Sequence, residues 1–204
     1  MKTKLERIFN LLIFVPAPPI AGFLAGWCIA YFFMSEKWFP YLALGGLALG
    51  LIFDIPVVQR IVKNSNPLPL MYGAAVICFY AVVLFGAFMG VPVFHVILSL
   101  PAAFLVGSKL AHSNSSEKDV RSTALKTAIL MTVLIDLVFV ASSFIALISP
   151  STPGDLKGML GLNFEVTQSM VLSIIFVGGF FLMIVNFFLT RELIYYFHRV
   201  LITE

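Results

Sequence analysis

Two carboxylates stand where water is scarce. Asp54 and Asp136 each end an apolar run, Leu51-Ile52-Phe53-Asp54 and Val133-Leu134-Ile135-Asp136, and each is followed by more apolar residues. Holding an ionisable side chain in hydrocarbon costs at least about 2.5 to 3.5 kcal/mol, so such a group is a functional candidate by default. Asp136 lies ten residues past Lys126, roughly 15 Å along a helix, which carries it to the middle of a bilayer. Two readings follow for it: a proton or cation site, or a neutral acid hydrogen-bonded to a neighbouring helix. Asp54 sits nearer the end of its run and is followed by Pro56, which frees a backbone carbonyl. It is expected to reach cytoplasmic water or to pair with Arg60 or Lys63, one or two turns on. His95 and Asn186, near the ends of two other apolar runs, complete the candidate ion- or substrate-binding set. Each has the alternative of being a polar group satisfied at the membrane boundary.

Other chemistry finds little support. His95, His112 and His198 are scattered, and no two plausible metal ligands share a helix face. Two membrane carboxylates could share a proton and activate water, as in intramembrane aspartyl proteases of the presenilin or prepilin-peptidase kind. Those enzymes carry Gly-x-Gly-Asp, which neither apolar run contains. The expectation is therefore a protein that is not an enzyme, with no catalytic residues, no metal and no cofactor.

The elements that must position these residues follow from composition. The 204 residues are 60% hydrophobic and 11% charged, with mean hydropathy +1.02. That leaves too little polar surface to cover a soluble core, so lipid must be the solvent. A span needs about 20 apolar residues, and six stretches qualify, at about 8–34, 39–58, 70–89, 93–108, 126–148 and 166–189. The expected fold is an all-α, polytopic six-transmembrane-helix bundle forming one integral membrane domain. Pro16, Pro18 and Pro19 break the first span early, and Leu5 to Val15 can instead lie along the interface as an amphipathic helix. Pro101 interrupts the fourth. Gly90, Val91 and Pro92 make a tight turn between spans three and four. The tail from Arg191 to Glu204 reads as a short separate helix at the headgroups, and Cys28 and Cys78 as buried thiols.

Charge sets the orientation. On this map Lys2, Lys4, Arg7, Arg60, Lys63, Lys109, Lys118, Arg121, Lys126, Arg191 and Arg199 fall on one side and only Lys37 and Lys157 on the other. Basic flanks are retained in the cytoplasm, so both termini are expected there. The formal excess of +3 lies in short loops, which suits anionic lipid headgroups and excludes nucleic acid as the partner.

Small residues recur at packing distance: Gly22 and Gly26, Gly46 and Gly50, Gly86 and Gly90, Ala103 and Gly107. Each pair clears one helix face so that two backbones can approach, within the chain or in a homodimer. Spans one to three and four to six form two halves that enter from opposite sides, which permits a 3+3 inverted repeat. The Pro-interrupted helices then correspond, first with fourth, and the Asp-bearing ones, second with fifth.

The leading functional expectation is a small integral membrane transporter or permease, with an intramembrane Asp as proton, cation or substrate site. Six helices are few for a monomeric carrier, so dimerisation is expected with it. The alternative is a non-catalytic membrane subunit of a larger complex. In size and layout the chain resembles the substrate-binding subunits of energy-coupling-factor vitamin transporters. That resemblance implies docking of partner membrane subunits through a small-residue face such as Ala17, Ala21 and Ala25.

Overall fold

The computed structural model describes residues 4–63, 69–87, 92–113 and 115–203. Eight α-helices run in the order α1 (Lys4–Phe14), α2 (Ala17–Phe33), α3 (Phe39–Lys63), α4 (Leu70–Ala87), α5 (Ser99–His112), α6 (Glu117–Ile148), α7 (Thr152–Leu160) and α8 (Gln168–Thr203). Two short 3₁₀ segments, Glu36–Trp38 and Pro92–Leu98, precede α3 and α5. No strand occurs among the described residues. Among the described residues six stretches are long and apolar enough to cross a membrane: Lys4–Phe33, Glu36–Val62, Leu70–Ala87, Pro92–His112, Glu117–Ile148 and Gln168–Thr203. Large apolar side chains such as Leu44, Phe53, Val82, Phe176 and Val177 stand outward on them, as lipid contact requires.

Local chemistry explains the helix ends. Pro16, just before α2, has no N–H and caps it without a side-chain bond, and Pro18 and Pro19 fall in its first turn, where missing donors cost least. Ser116 caps α6 by accepting from the Asp119 backbone N–H at 3.3 Å. Gly161, with φ of 61°, takes the left-handed position that ends α7.

Several elements depart from the expected boundaries. α1 is a separate helix, as the proline cluster implies, but it does not simply lay an apolar face outward. Glu6 and Asn10 are buried together with Ile13 and Phe14, while Ile8 and Leu12 are exposed. The fourth span is interrupted before Pro101, at the junction of 3₁₀ and α-helix between Leu98 and Ser99. Pro101 sits in the first turn of α5, where it displaces no helical hydrogen bond. The tail is no separate helix, because α8 continues unbroken to Thr203. α6 likewise begins at Glu117, well before the apolar residues start. Cys28 and Cys78 are free and exposed on helix surfaces rather than buried. The turn at Gly90 and Val91 and the loop at 64–68 lie outside the described residues.

The chain divides into two compact units, one up to Tyr80 together with the last few residues, the other Ala81–Val200. In the first, α2 and α3 form an antiparallel hairpin along the expected glycine seam. A Cβ on Gly22 would collide with the carbonyl of Gly46, and one on Gly46 with the carbonyl of Gly22. Gly26 lies as tightly on Leu42, and Gly50 on Pro18 and Pro19. Gly86 is different: no described residue lies within 4 Å of the Cβ it lacks, so it forms no seam with the described helices of its own chain. Its expected companion Gly90 lies outside the described residues.

In the second unit, α5 and α8 run parallel, with Phe104 edge-on to Phe197 at 5.4 Å between ring centroids. Gly107 admits α8 closely, since a Cβ there would be 2.9 Å from that of Phe197. α6 runs antiparallel to α8, pairing Thr132 with Asn186 and Phe139 with Gly179.

Candidate functional site

The two carboxylates occupy contrasting surroundings. Asp54 is 4% exposed, and neither of its oxygens has a hydrogen-bond partner among the described residues. It is enclosed and does not pair with Arg60, which corrects that part of the expectation from sequence; the side chain of Lys63, the other expected partner, lies outside the described residues. The reason is register. Ala43, Gly50, Asp54 and Ile61 are the buried positions of α3, a single stripe, so Asp54 extends the glycine seam by one turn. Arg60 projects from another face of the helix and is exposed.

Helical rise brings Asp54 about 6 Å beyond Gly50, and Gly50 abuts Pro18 and Pro19. Asp54 is therefore level with the break between α1 and α2. A helix N-terminus ordinarily offers several free N–H groups to an anion. Here Pro16, Pro18 and Pro19 have none, and the N–H of Ile20 already bonds the carbonyl of Pro16 at 3.2 Å. The prolines thus remove three of the donors that this helix start would otherwise offer. On the other side of the break, Tyr80 donates to the carbonyl of Ile13 at 2.8 Å, filling an acceptor that the end of α1 leaves open. Phe14 is fully buried and stacks on Tyr72 at 5.3 Å between centroids.

Asp136 is half-buried, on a flank of α6 beside the buried line of Ala124, Ala128, Met131 and Ile135. It has no hydrogen-bond or ion-pair partner among the described residues. It lies in the middle of α6, but the enclosure belongs to Asp54.

Asn186 and His95 are enclosed by protein. Both are fully buried. Asn186 joins three helices: Ser99 donates to its Oδ1 at 2.5 Å, and its Nδ2 approaches the Thr132 hydroxyl at 3.5 Å. Thr132 in turn donates to the carbonyl of Ala128 at 2.9 Å. His95 places Nε2 2.9 Å from the carbonyl of Ala81. A carbonyl only accepts, so this nitrogen donates, and Nδ1 has no partner among the described residues. Thr190, one turn beyond Asn186 on α8, is also buried with its hydroxyl unpaired.

Tyr80, Ser99, Thr132 and Thr190 were not singled out from sequence, although a signal exists for three of them. His95 and Ser99, Thr132 and Asp136, and Asn186 and Thr190 are each four residues apart within apolar helices. That spacing stacks polar groups on one face. Among the described residues no group of three or more His, Cys, Asp or Glu side chains could hold a metal ion.

The small-residue face Ala17, Ala21, Ala25 does not form an open stripe, because Ala17 is buried and Ala21 half-buried. No protein-family model, curated protein or solved structure matches this chain.

Proposed function

We propose that this chain is a small multi-pass membrane permease in which Asp54 is the proton- or cation-binding group. The observation that carries the reading is a buried carboxylate with both oxygens unpaired beside a proline-broken helix. Such a group is costly unless it takes up a positive charge, and taking one up and releasing it is the elementary step of coupled transport. Interrupted helices beside a polar site are the arrangement that carriers use at their binding sites. The asymmetry of Lys and Arg supports a topology with both termini in the cytoplasm.

Proton movement in proteoliposomes, followed with an enclosed pH dye while small organic solutes are added one at a time, tests the reading. Wild type should show solute-dependent proton movement, Asp54→Asn should lose it, and Asp136→Asn should keep it. Wild-type movement in Asp54→Asn would remove Asp54 from the mechanism.

Asp136 favours a second reading, in which the chain is a non-catalytic subunit of a larger complex or a homodimer. A half-buried carboxyl in mid-span without a partner in its own chain suits a Lys or Arg on a companion helix. Under that reading Asp136→Leu should release a co-purifying subunit or shift the protein to monomer, while Asp54→Asn should not.

A further inference from the structure

We infer that the pocket between the end of α3 and the start of α4 binds a phosphate-bearing amphiphile, supplied by the membrane as an anionic phospholipid. The cavity is about 370 Å³ and is lined by Pro56, Val57, Arg60, Pro69 and Tyr72, within the range of small-molecule sites. Its two ends differ in chemistry. Pro56, Val57 and Pro69 give an apolar wall suited to glycerol and the first methylenes of an acyl chain. Arg60 brings a guanidinium that has no carboxylate partner among the described residues. A planar fork of donors fits a phosphate's oxygens.

The site is also correctly placed in depth. Arg60 is in the last turn of α3 and two residues before the apolar span ends at Val62, the level of headgroup phosphates. Tyr72 is in the first turn of α4, where backbone N–H groups carry partial positive charge. Its ring is held by the stack on Phe14 and its hydroxyl has no partner among the described residues, which leaves a second donor for the same anion. Asp54, six residues before Arg60, is buried and does not neutralise it. An uncompensated cation, a free hydroxyl and an apolar wall at one membrane face together describe an anionic lipid. This inference does not depend on the transport reading, because a lipid site would persist in a protein that moves nothing.

Native mass spectrometry of the full-length protein in detergent tests it, with phosphatidylglycerol and phosphatidylcholine added in equal amounts and inorganic phosphate added separately. Wild type should retain phosphatidylglycerol in preference to phosphatidylcholine. Arg60→Gln should weaken that adduct at least about tenfold, the usual loss for a charge-assisted bond. Arg121→Gln, which removes an exposed basic residue elsewhere, should leave it unchanged. Val57→Trp, which fills the cavity while keeping Arg60, should also abolish the preference. Equal loss in Arg60→Gln and Arg121→Gln would reduce the effect to general surface charge and overturn the proposal. Retention by inorganic phosphate that competes away the lipid would overturn it in favour of a soluble anion.

Discussion

The hairpin of α2 and α3 and the group of α5, α6 and α8 solve one problem in opposite ways. Apolar helices in lipid gain nothing from hydrophobic burial against one another, so they associate through close packing or through hydrogen bonds. The hairpin uses packing, with glycine backbone laid directly on glycine backbone at Gly22 and Gly46. The second group adds hydrogen bonds, with one buried amide, Asn186, linking Ser99 and Thr132. Each solution leaves a different residue of polarity behind. Beside the hairpin, backbone contact has left no side-chain partner for Asp54. Around Asn186 most polar atoms are paired, and those without a partner among the described residues are a ring nitrogen of His95 and the hydroxyl of Thr190. An unpaired charge is a far greater cost than an unpaired neutral group, which is why the carboxylate, rather than the better connected amide, carries the functional proposal.

The comparison is most sharply broken at the glycine seam. Gly46→Leu drives a side chain into the backbone around Gly22, where no flexible atom can yield. It should cost about 3 kcal/mol or more and largely remove folded protein in detergent thermal unfolding. The second group should be more tolerant. Asn186→Leu strands the Ser99 hydroxyl and should cost about 1 to 2 kcal/mol. The double variant Ser99→Ala/Asn186→Leu should be less destabilised than the sum of the two, since both remove one bond.

Asp54→Asn should move stability the other way, raising it by about 1 kcal/mol because a neutral amide is cheaper to bury than a carboxylate. A fall in unfolding temperature would mean that the carboxylate is structurally satisfied in the folded membrane protein. The smallest effect is expected at Gly86→Ala, which adds a methyl to open space and should stay within about 0.5 kcal/mol. Gly86→Ala and Gly46→Ala compared in one assay separate a packing glycine from an incidental one.

Much of the fold was legible in advance. Six apolar stretches and the break at Pro16, Pro18 and Pro19 follow from hydrocarbon thickness and from the missing proline N–H. The pairs Gly22/Gly26 and Gly46/Gly50 were legible as a seam because both sit at four-residue spacing in neighbouring spans. Gly86 carried the same spacing and meets no described residue of its own chain, since spacing states only that one face is clear and not that another helix arrives there.

What the chain alone determined is thus its class and its elements: an all-helical protein whose six long apolar helices demand lipid, with one carboxylate on each of two of them. Only tertiary structure decided which carboxylate is enclosed. In a soluble amphipathic helix the polar face announces the outside, but α2 and α4 are apolar all round, so nothing in their sequence tells a lipid-facing side from a helix-facing one. Asp54 is buried because it falls on the stripe of Gly50 and Ala43, and Asp136 is half-open because it falls beside, rather than on, the stripe of Ala128 and Ile135. One step of 100° about a helix axis separates those fates, and that rotation is set by the neighbouring helices.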